Sequence, residues 1–172
     1  MKYFIFISSL IVSLNADLSK IKTFEADFTQ TVQDEQKNTL RYKGHIIASK
    51  PQYALWKYTN PIKKDIYISM YKLTVIEPDM EQAIVKNISS DFNLFKMLNN
   101  AKKIAKNQYL TKIQNTSYII TTKNENVIAQ INYRDELDNI ISIEFSNQIL
   151  DKTIDEKIFT PKIPLDFDII SQ

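Results

Sequence analysis

His45 is the chain's one histidine, so any Ser-His-Asp hydrolase built on this sequence would have to use it. It falls in a strand pattern at the parity opposite to the apolar positions. That predicts a solvent-facing side chain, and no nucleophile elbow accompanies it. Ser69-Met70-Tyr71-Lys72 and Ser19-Lys20-Ile21-Lys22 both match Ser-x-x-Lys. A catalytic Ser-Lys pair needs both side chains on one helix face at the rim of a pocket. The first match falls at an expected hairpin and the second has no supporting motif, so both are read as chance. Asp166 and Asp168 would share one face of a strand, but a site for a hard cation needs further oxygen ligands at defined positions. A solvated edge is the expectation there. The sequence has no cysteine, which excludes disulfides, thiol catalysis and Cys-ligated metals. A single glycine leaves no Gly-rich phosphate cradle. Asn87-Ile88-Ser89 is a glycosylation sequon by pattern only. No catalytic residue, metal or cofactor is therefore expected, and the chain reads as a binding protein, not an enzyme.

The elements that would position a binding surface show in the hydropathy pattern. A short helix is predicted over Asp17 to Thr23. Period-two stretches follow. Phe24, Ala26 and Phe28 share a face, and so do Leu40, Tyr42, Ile46 and Ala48. Ala54, Trp56 and Tyr58 share another, then Ile66 with Ile68 and Leu73 with Val75. Pro51, Pro61 and Pro78 punctuate them, as residues unable to donate to a ladder should. In the middle the period changes. Ser89-Ser90-Asp91 is placed as a helix cap, and Leu94, Leu98, Ala101 and Ala105 recur at helical spacing, with Phe92 and Phe95 widening the stripe. Strands resume over Tyr109 to Gln114, Ser117 to Lys123, Val127 to Arg134 and Asn139 to Asn147. Lys157 to Ile170, with Pro161 and Pro164, reads as an edge.

Short strands joined by brief turns predict one antiparallel sheet that curls. Its apolar inner face needs cover, and the two predicted helices are the candidates. With 172 residues, 44% apolar and 24% charged, the chain fits one domain with a sizeable core. The scarcity of glycine predicts that Asn and Asp serve in many turns. Lys102, Lys103 and Lys106 form the dense basic group. At a net charge of +2 and a pI near 8.6 they read as a solvated helix face, and no nucleic-acid partner is expected.

Met1-Lys2, the apolar stretch Tyr3 to Leu14 and the small Ala16 predict a cleaved secretory signal over residues 1–16. The stretch is shorter than the roughly 20 residues that span a bilayer. The mature domain, residues 17–172, would start near Asp17 outside the cytoplasm.

Four blocks, in order along most of that domain, carry a resemblance. They are Phe24-Glu25-Ala26-Asp27-Phe28-Thr29-Gln30-Thr31-Val32; then Gly44, Ile46, Lys50-Pro51, Trp56, Tyr58 and Pro61; then Glu77-Pro78-Asp79-Met80-Glu81-Gln82; and Ile158-Phe159-Thr160-Pro161 with Asp168-Ile169-Ile170. Together they resemble the periplasmic outer-membrane lipoprotein carrier protein family, LolA. The resemblance implies a mainly β fold with helices: an unclosed antiparallel β-barrel, a half-barrel, with an α-helical lid over its concave apolar face. It implies a periplasmic carrier that takes triacylated lipoproteins from an inner-membrane ABC transporter, and it leaves open an outer-membrane acceptor. A monomer is expected. It also implies that the basic residue before the proline of the second block, here Lys50, latches the lid. The family's commoner residue there is Arg, whose planar fork holds several carbonyls, whereas Lys offers a point charge. The family's usual Asp-Gly hairpin is replaced by Met70-Tyr71. With strand parity and helical spacing, the expected lipid-binding residues are Phe28, Ile46, Ala48, Trp56, Tyr58, Ile66, Ile68 and Val75, faced by Phe92, Phe95 and Leu98 from the helix. The alternatives are a related half-barrel that carries another lipid or glycolipid, a module whose apolar face is packed core, and a hydrolase with an unmarked site.

Overall fold

The computed structural model describes residues 17–88, 93–123 and 127–171. The expected signal over residues 1–16 lies outside them, as does Phe92 with the expected cap Ser89-Ser90-Asp91. The strands are β1 (Thr23–Gln33), β2 (Thr39–Ser49), β3 (Tyr53–Asn60), β4 (Lys64–Ser69), β5 (Lys72–Glu77) and β6 (Gln82–Asn87), then the helix α1 (Leu94–Asn99). β7 (Lys102–Ala105), β8 (Gln108–Ile113), β9 (Thr116–Thr122), β10 (Ile128–Arg134), β11 (Ile140–Leu150) and β12 (Asp168–Ser171) follow. They form one sheet in the order β12-β6-β5-β4-β3-β2-β1-β11-β10-β9-β8-β7. The two ends do not pair, so the sheet is unclosed.

β1 is the spine. It pairs antiparallel with β2 on one side and β11 on the other, and its inward residues Phe24, Ala26 and Phe28 are buried. Alternation in the sequence thus becomes an inside and an outside. Ladder irregularities at Glu25/Asp27, Lys43/Gly44 and Ile128/Gln130 sharpen the local twist and help the sheet to curl. The core runs from Ile68 on β4, through Phe24, Ile46 and Phe145, to Ile120 on β9, so both flanks meet over the same interior. Phe24 and Phe145 stack edge to face at 5.2 Å, and Phe28 does so against both Trp56 and Tyr58 at 5.0 Å.

Gly44, the chain's one glycine, faces Phe28 across the β1–β2 ladder. A Cβ there would stand 2.1 Å from the Lys57 carbonyl oxygen and 2.7 Å from the Phe28 ring. The position has no room for a side chain. The turns use other residues. Asn107, Asp138, Asn147 and Asp151 take positive φ, as the scarcity of glycine leads one to expect, and so do Lys37, Glu81 and Gln114. The Met70-Tyr71 turn pairs Ser69 with Lys72 without a left-handed residue.

Several expectations are corrected. The helical stripe does not run on to Ala105. α1 ends at Asn99, and Lys102–Ala105 is the edge strand β7, hydrogen-bonded to β8. Asn99 and Asn100 are weak helix formers, and strand pairing satisfies the next backbone groups instead. Lys102 and Lys103 are therefore strand residues. The α-helical lid is reduced, among the described residues, to six-residue α1 and a 3-10 turn at Leu18–Lys20. The sheet is not wholly antiparallel, because β12 pairs parallel with β6, a strand that the pattern did not reveal. β12 is an edge as expected, but the residues before it cross the outer face. The 3-10 turn Glu156–Phe159 lies against β3 and β4, with Phe159 buried and stacked on Tyr53 at 5.6 Å. That cover buries Leu55, an outward position of β3.

Candidate functional site: an apolar pocket under a tethered cover

Inside the curl is a pocket of about 210 Å³. One wall is Trp56, Tyr58, Ile66, Ile68 and Leu73 from β3 to β5; the other is Ile113, Tyr118, Ile131, Tyr133 and Ile143 from β8 to β11. Leu94, Phe95 and Met97 of α1 close the top. β5 and β8 stand far apart in the strand order, so only the curvature of the sheet brings these walls together.

The residues expected to bind lipid divide into three groups. Trp56, Tyr58, Ile66, Ile68 and Phe95 line the pocket. Phe28, Ile46, Ala48 and Leu98 do not; they are wholly buried behind it, because cross-strand neighbours and the cover fill the space above them. Val75 is half-buried and outside both pocket and core, while Leu73 of the same strand reaches the cavity. Sequence reasoning missed the far wall. Its signal was present: Tyr118 with Ile120 and Ile131 with Tyr133 alternate as cleanly as the near wall does. It also missed Gln30 and Gln52, polar residues at inward positions.

The cover is held by two adjacent residues in the turn between β2 and β3. The Lys50 ammonium donates to the Ser19 carbonyl oxygen in the 3-10 turn at 2.6 Å and lies 6.0 Å from the centre of the Phe95 ring. The Pro51 carbonyl oxygen accepts from the Asn93 amide at 2.7 Å. The other end of that amide caps α1, its oxygen accepting from the Phe95 and Lys96 backbone N–H groups at 2.8 and 3.3 Å. Asn93 is thus the cap of α1.

The pocket's polar atoms are few. The Tyr58 hydroxyl donates to Gln30 Oε1 at 2.7 Å. Burial, with Tyr133 and Tyr42 nearby, holds the Tyr58 hydroxyl far above the usual phenol range. Burial, together with Tyr118 and Asp135, pushes Tyr133 up to about 12. Both phenols stay neutral at physiological pH, as an apolar site requires.

The sequence's other chemical candidates fall elsewhere. His45 is on the outer face but is not merely solvated. Its Nδ1 lies 2.8 Å from an Asp27 carboxylate oxygen and its Nε2 3.4 Å from one of Glu25. Hydrogen bonds from Asn147 and His45 lower the Asp27 carboxyl below its ordinary range. Ser69 and Lys72 sit across the hairpin turn, with the Ser69 hydroxyl 3.5 Å from the Lys72 carbonyl oxygen. Asp166 and Asp168 are exposed. Among the described residues no acidic or histidine cluster is arranged to hold a metal, and no helix is long and apolar enough to cross a membrane.

Known proteins share this fold. Solved structures of a LolA superfamily protein from Nitrosomonas europaea (TM-score 0.53, 12% identity, 85% of this chain and 94% of that one) and of an uncharacterised conserved protein from Thermus thermophilus (TM-score 0.56, 10% identity, 91% and 94%) have a similar fold. A Campylobacter jejuni protein named outer-membrane lipoprotein carrier protein is 38% identical over 98% of this chain and 95% of its own length. A Helicobacter pylori protein of the same name is 31% identical over 90% and 83%. The family description "Outer membrane lipoprotein carrier protein LolA" matches residues 19–118, which include the spine, the turn between β2 and β3, α1 and the first strands of the far wall. With its fold, its blocks and its relatives in agreement, the chain belongs to the LolA family of outer membrane lipoprotein carrier proteins.

Proposed function

We propose that the protein is a periplasmic chaperone that binds the acyl chains of lipoproteins and carries them to the outer membrane. The observation that carries this reading is the apolar pocket beneath a tethered cover, in a chain whose relatives are named outer-membrane lipoprotein carrier proteins. Cargo arrives from an inner-membrane ABC transporter as triacylated lipoprotein, the carrier works as a monomer, and an acceptor at the outer membrane takes the load. Trp56, Tyr58, Ile66, Ile68 and Phe95 meet the chains directly. Phe28, Ile46 and Ala48 shape the floor behind them, and Leu98 packs α1 onto the core.

Each methylene removed from water contributes about 0.8 kcal/mol, so about ten give roughly 8 kcal/mol before costs. The pocket is smaller than the roughly 300–1,000 Å³ typical of ligand sites. Cargo therefore enters by displacing the cover, whose apolar residues compete with acyl chains for the same walls. That competition keeps net affinity low enough for release and hides a sticky face in the empty protein. Lys50 is the latch, because its one charged hydrogen bond joins the sheet to the cover.

Mass spectrometry of whatever copurifies with the protein from its native periplasm tests the proposal. Triacylated lipoproteins are expected. Recovery of only free phospholipid or glycolipid would mean a carrier of another cargo.

A further inference from the structure

Gln52 follows Lys50 and Pro51 in the latch turn and lines the pocket at its covered end. It is 6% exposed, and its Nε2 has no hydrogen-bond partner among the described residues. A buried amide donor without an acceptor has given up water for nothing, and such groups in folded proteins call for an explanation. Each of the pocket's other side-chain amides has at least one partner. Asn93 spends both ends on α1 and Pro51, and Gln30 Oε1 accepts from Tyr58. The neighbouring cation is engaged as well, on the Ser19 carbonyl. An unpaired buried donor thus belongs to a side chain that lines a cavity whose walls are mainly hydrocarbon.

An alkyl chain offers that donor nothing. The linkage at the head of an acyl chain does, because its ester or amide carbonyl is an acceptor delivered together with the hydrocarbon. Gln52 stands where the cover must lift, beside the two groups that tether it, so a carbonyl reaching it would have its chain in the pocket and its head at the opening. We propose that Gln52 is a specificity-determining residue whose Nε2 donates to an acyl carbonyl oxygen of the cargo, setting how deep the chains go and favouring acyl lipids over plain hydrocarbon. This rests on the carrier reading above.

The test uses the mature protein and Gln52→Met, which keeps length and apolar bulk but removes the donor. The ligands are a synthetic triacylated lipopeptide, its analogue with ether-linked chains in place of the two ester-linked ones, and the carbonyl-free dye N-phenyl-1-naphthylamine. The variant should keep its melting temperature and dye affinity, and bind the triacylated peptide about five- to tenfold more weakly. If the ether analogue is unaffected by the substitution and wild type prefers ester to ether, the acceptor is an ester. If both peptides weaken equally while the dye does not, it is the amide. Unchanged binding of both peptides would overturn the proposal, as would equal weakening of peptides and dye, which would mean a damaged pocket. If the variant fails to fold, the wild-type side chain decides: its amide resonances should shift with the triacylated peptide and not with the dye, and no shift overturns the proposal. If wild type binds neither peptide, the carrier reading itself fails.

Discussion

Lys50 connects the sheet to its cover through one ammonium, and the geometry makes that connection separable from folding. Its partner is a backbone carbonyl and its stem is half-buried. Lys50→Leu should keep the far-ultraviolet spectrum native while weakening closure by about 1–2 kcal/mol, the scale of a partly exposed charged hydrogen bond. Transfer of a labelled lipoprotein from inner to outer membrane fractions should slow or fail, and Lys50→Arg should restore it. Transfer at the wild-type rate by Lys50→Leu would reduce Lys50 to a rim charge. Gly44 is the opposite case, in which folding itself is at stake. Gly44→Ala drives a methyl into the Lys57 carbonyl and the Phe28 ring, and the backbone contact cannot be relieved by a rotamer change. Chemical denaturation should show a loss of about 2–3 kcal/mol. The buried phenols give a pH signature. Tyr133 ionises near 12 in the folded protein against 10 when exposed, so above pH 10 the unfolded state releases its proton first. Stability contributed by Tyr133 is complete below pH 10 and is lost as pH rises toward 12, with Tyr58 acting in the same direction. Denaturation midpoints measured from pH 9 to 12 should fall for the wild type and less for Tyr133→Phe.

At the scale of elements, α1 is the weakest part of the site. A six-residue helix cannot stand alone in water, since isolated helices shorter than about 12 residues are marginal. It is held by its cap, by packing of Phe95 and Leu98, and by the Asn93 bond to Pro51. Asn93→Ala removes cap and tether together and should destabilise the cover by about 1–2 kcal/mol. Amide exchange at Met97 and Asn100, which bond within the helix, should accelerate while exchange in β1 and β11 stays unchanged. How far these elements were legible varies for physical reasons. The central strands were plain because one face is buried and alternation records it. The helix was over-read, since Ala101 and Ala105 keep a helical spacing from Leu94 and Leu98, but the pairing of β7 with β8 outweighs that weak preference. β6 and its parallel partner β12 depend on a contact between distant segments that no local pattern encodes. Within the pocket, Trp56, Tyr58, Ile66, Ile68 and Phe95 could be read from parity and spacing. Gln30 and Gln52 could not, because a polar side chain at an inward position looks like an error in the pattern until the cavity is seen.

At the scale of the molecule, the unclosed sheet is what makes a carrier possible. A closed barrel would fix its volume, whereas this sheet ends in β12 and β7 and its flanks meet only through side chains and the cover. A C-terminal strap covers one flank from outside, burying Phe159 over β3 and β4. The central claim, that acyl chains occupy the concave pocket, is tested most directly by site-specific photocrosslinking in the periplasm. A photoreactive residue is placed at Leu73 on the pocket wall and, as a control, at Lys57 on the outer face of β3. Irradiation should yield a lipoprotein adduct from Leu73, attached through an acyl chain, and none from Lys57. Adducts from Lys57 with none from Leu73 would contradict the account and place the cargo on the outer face.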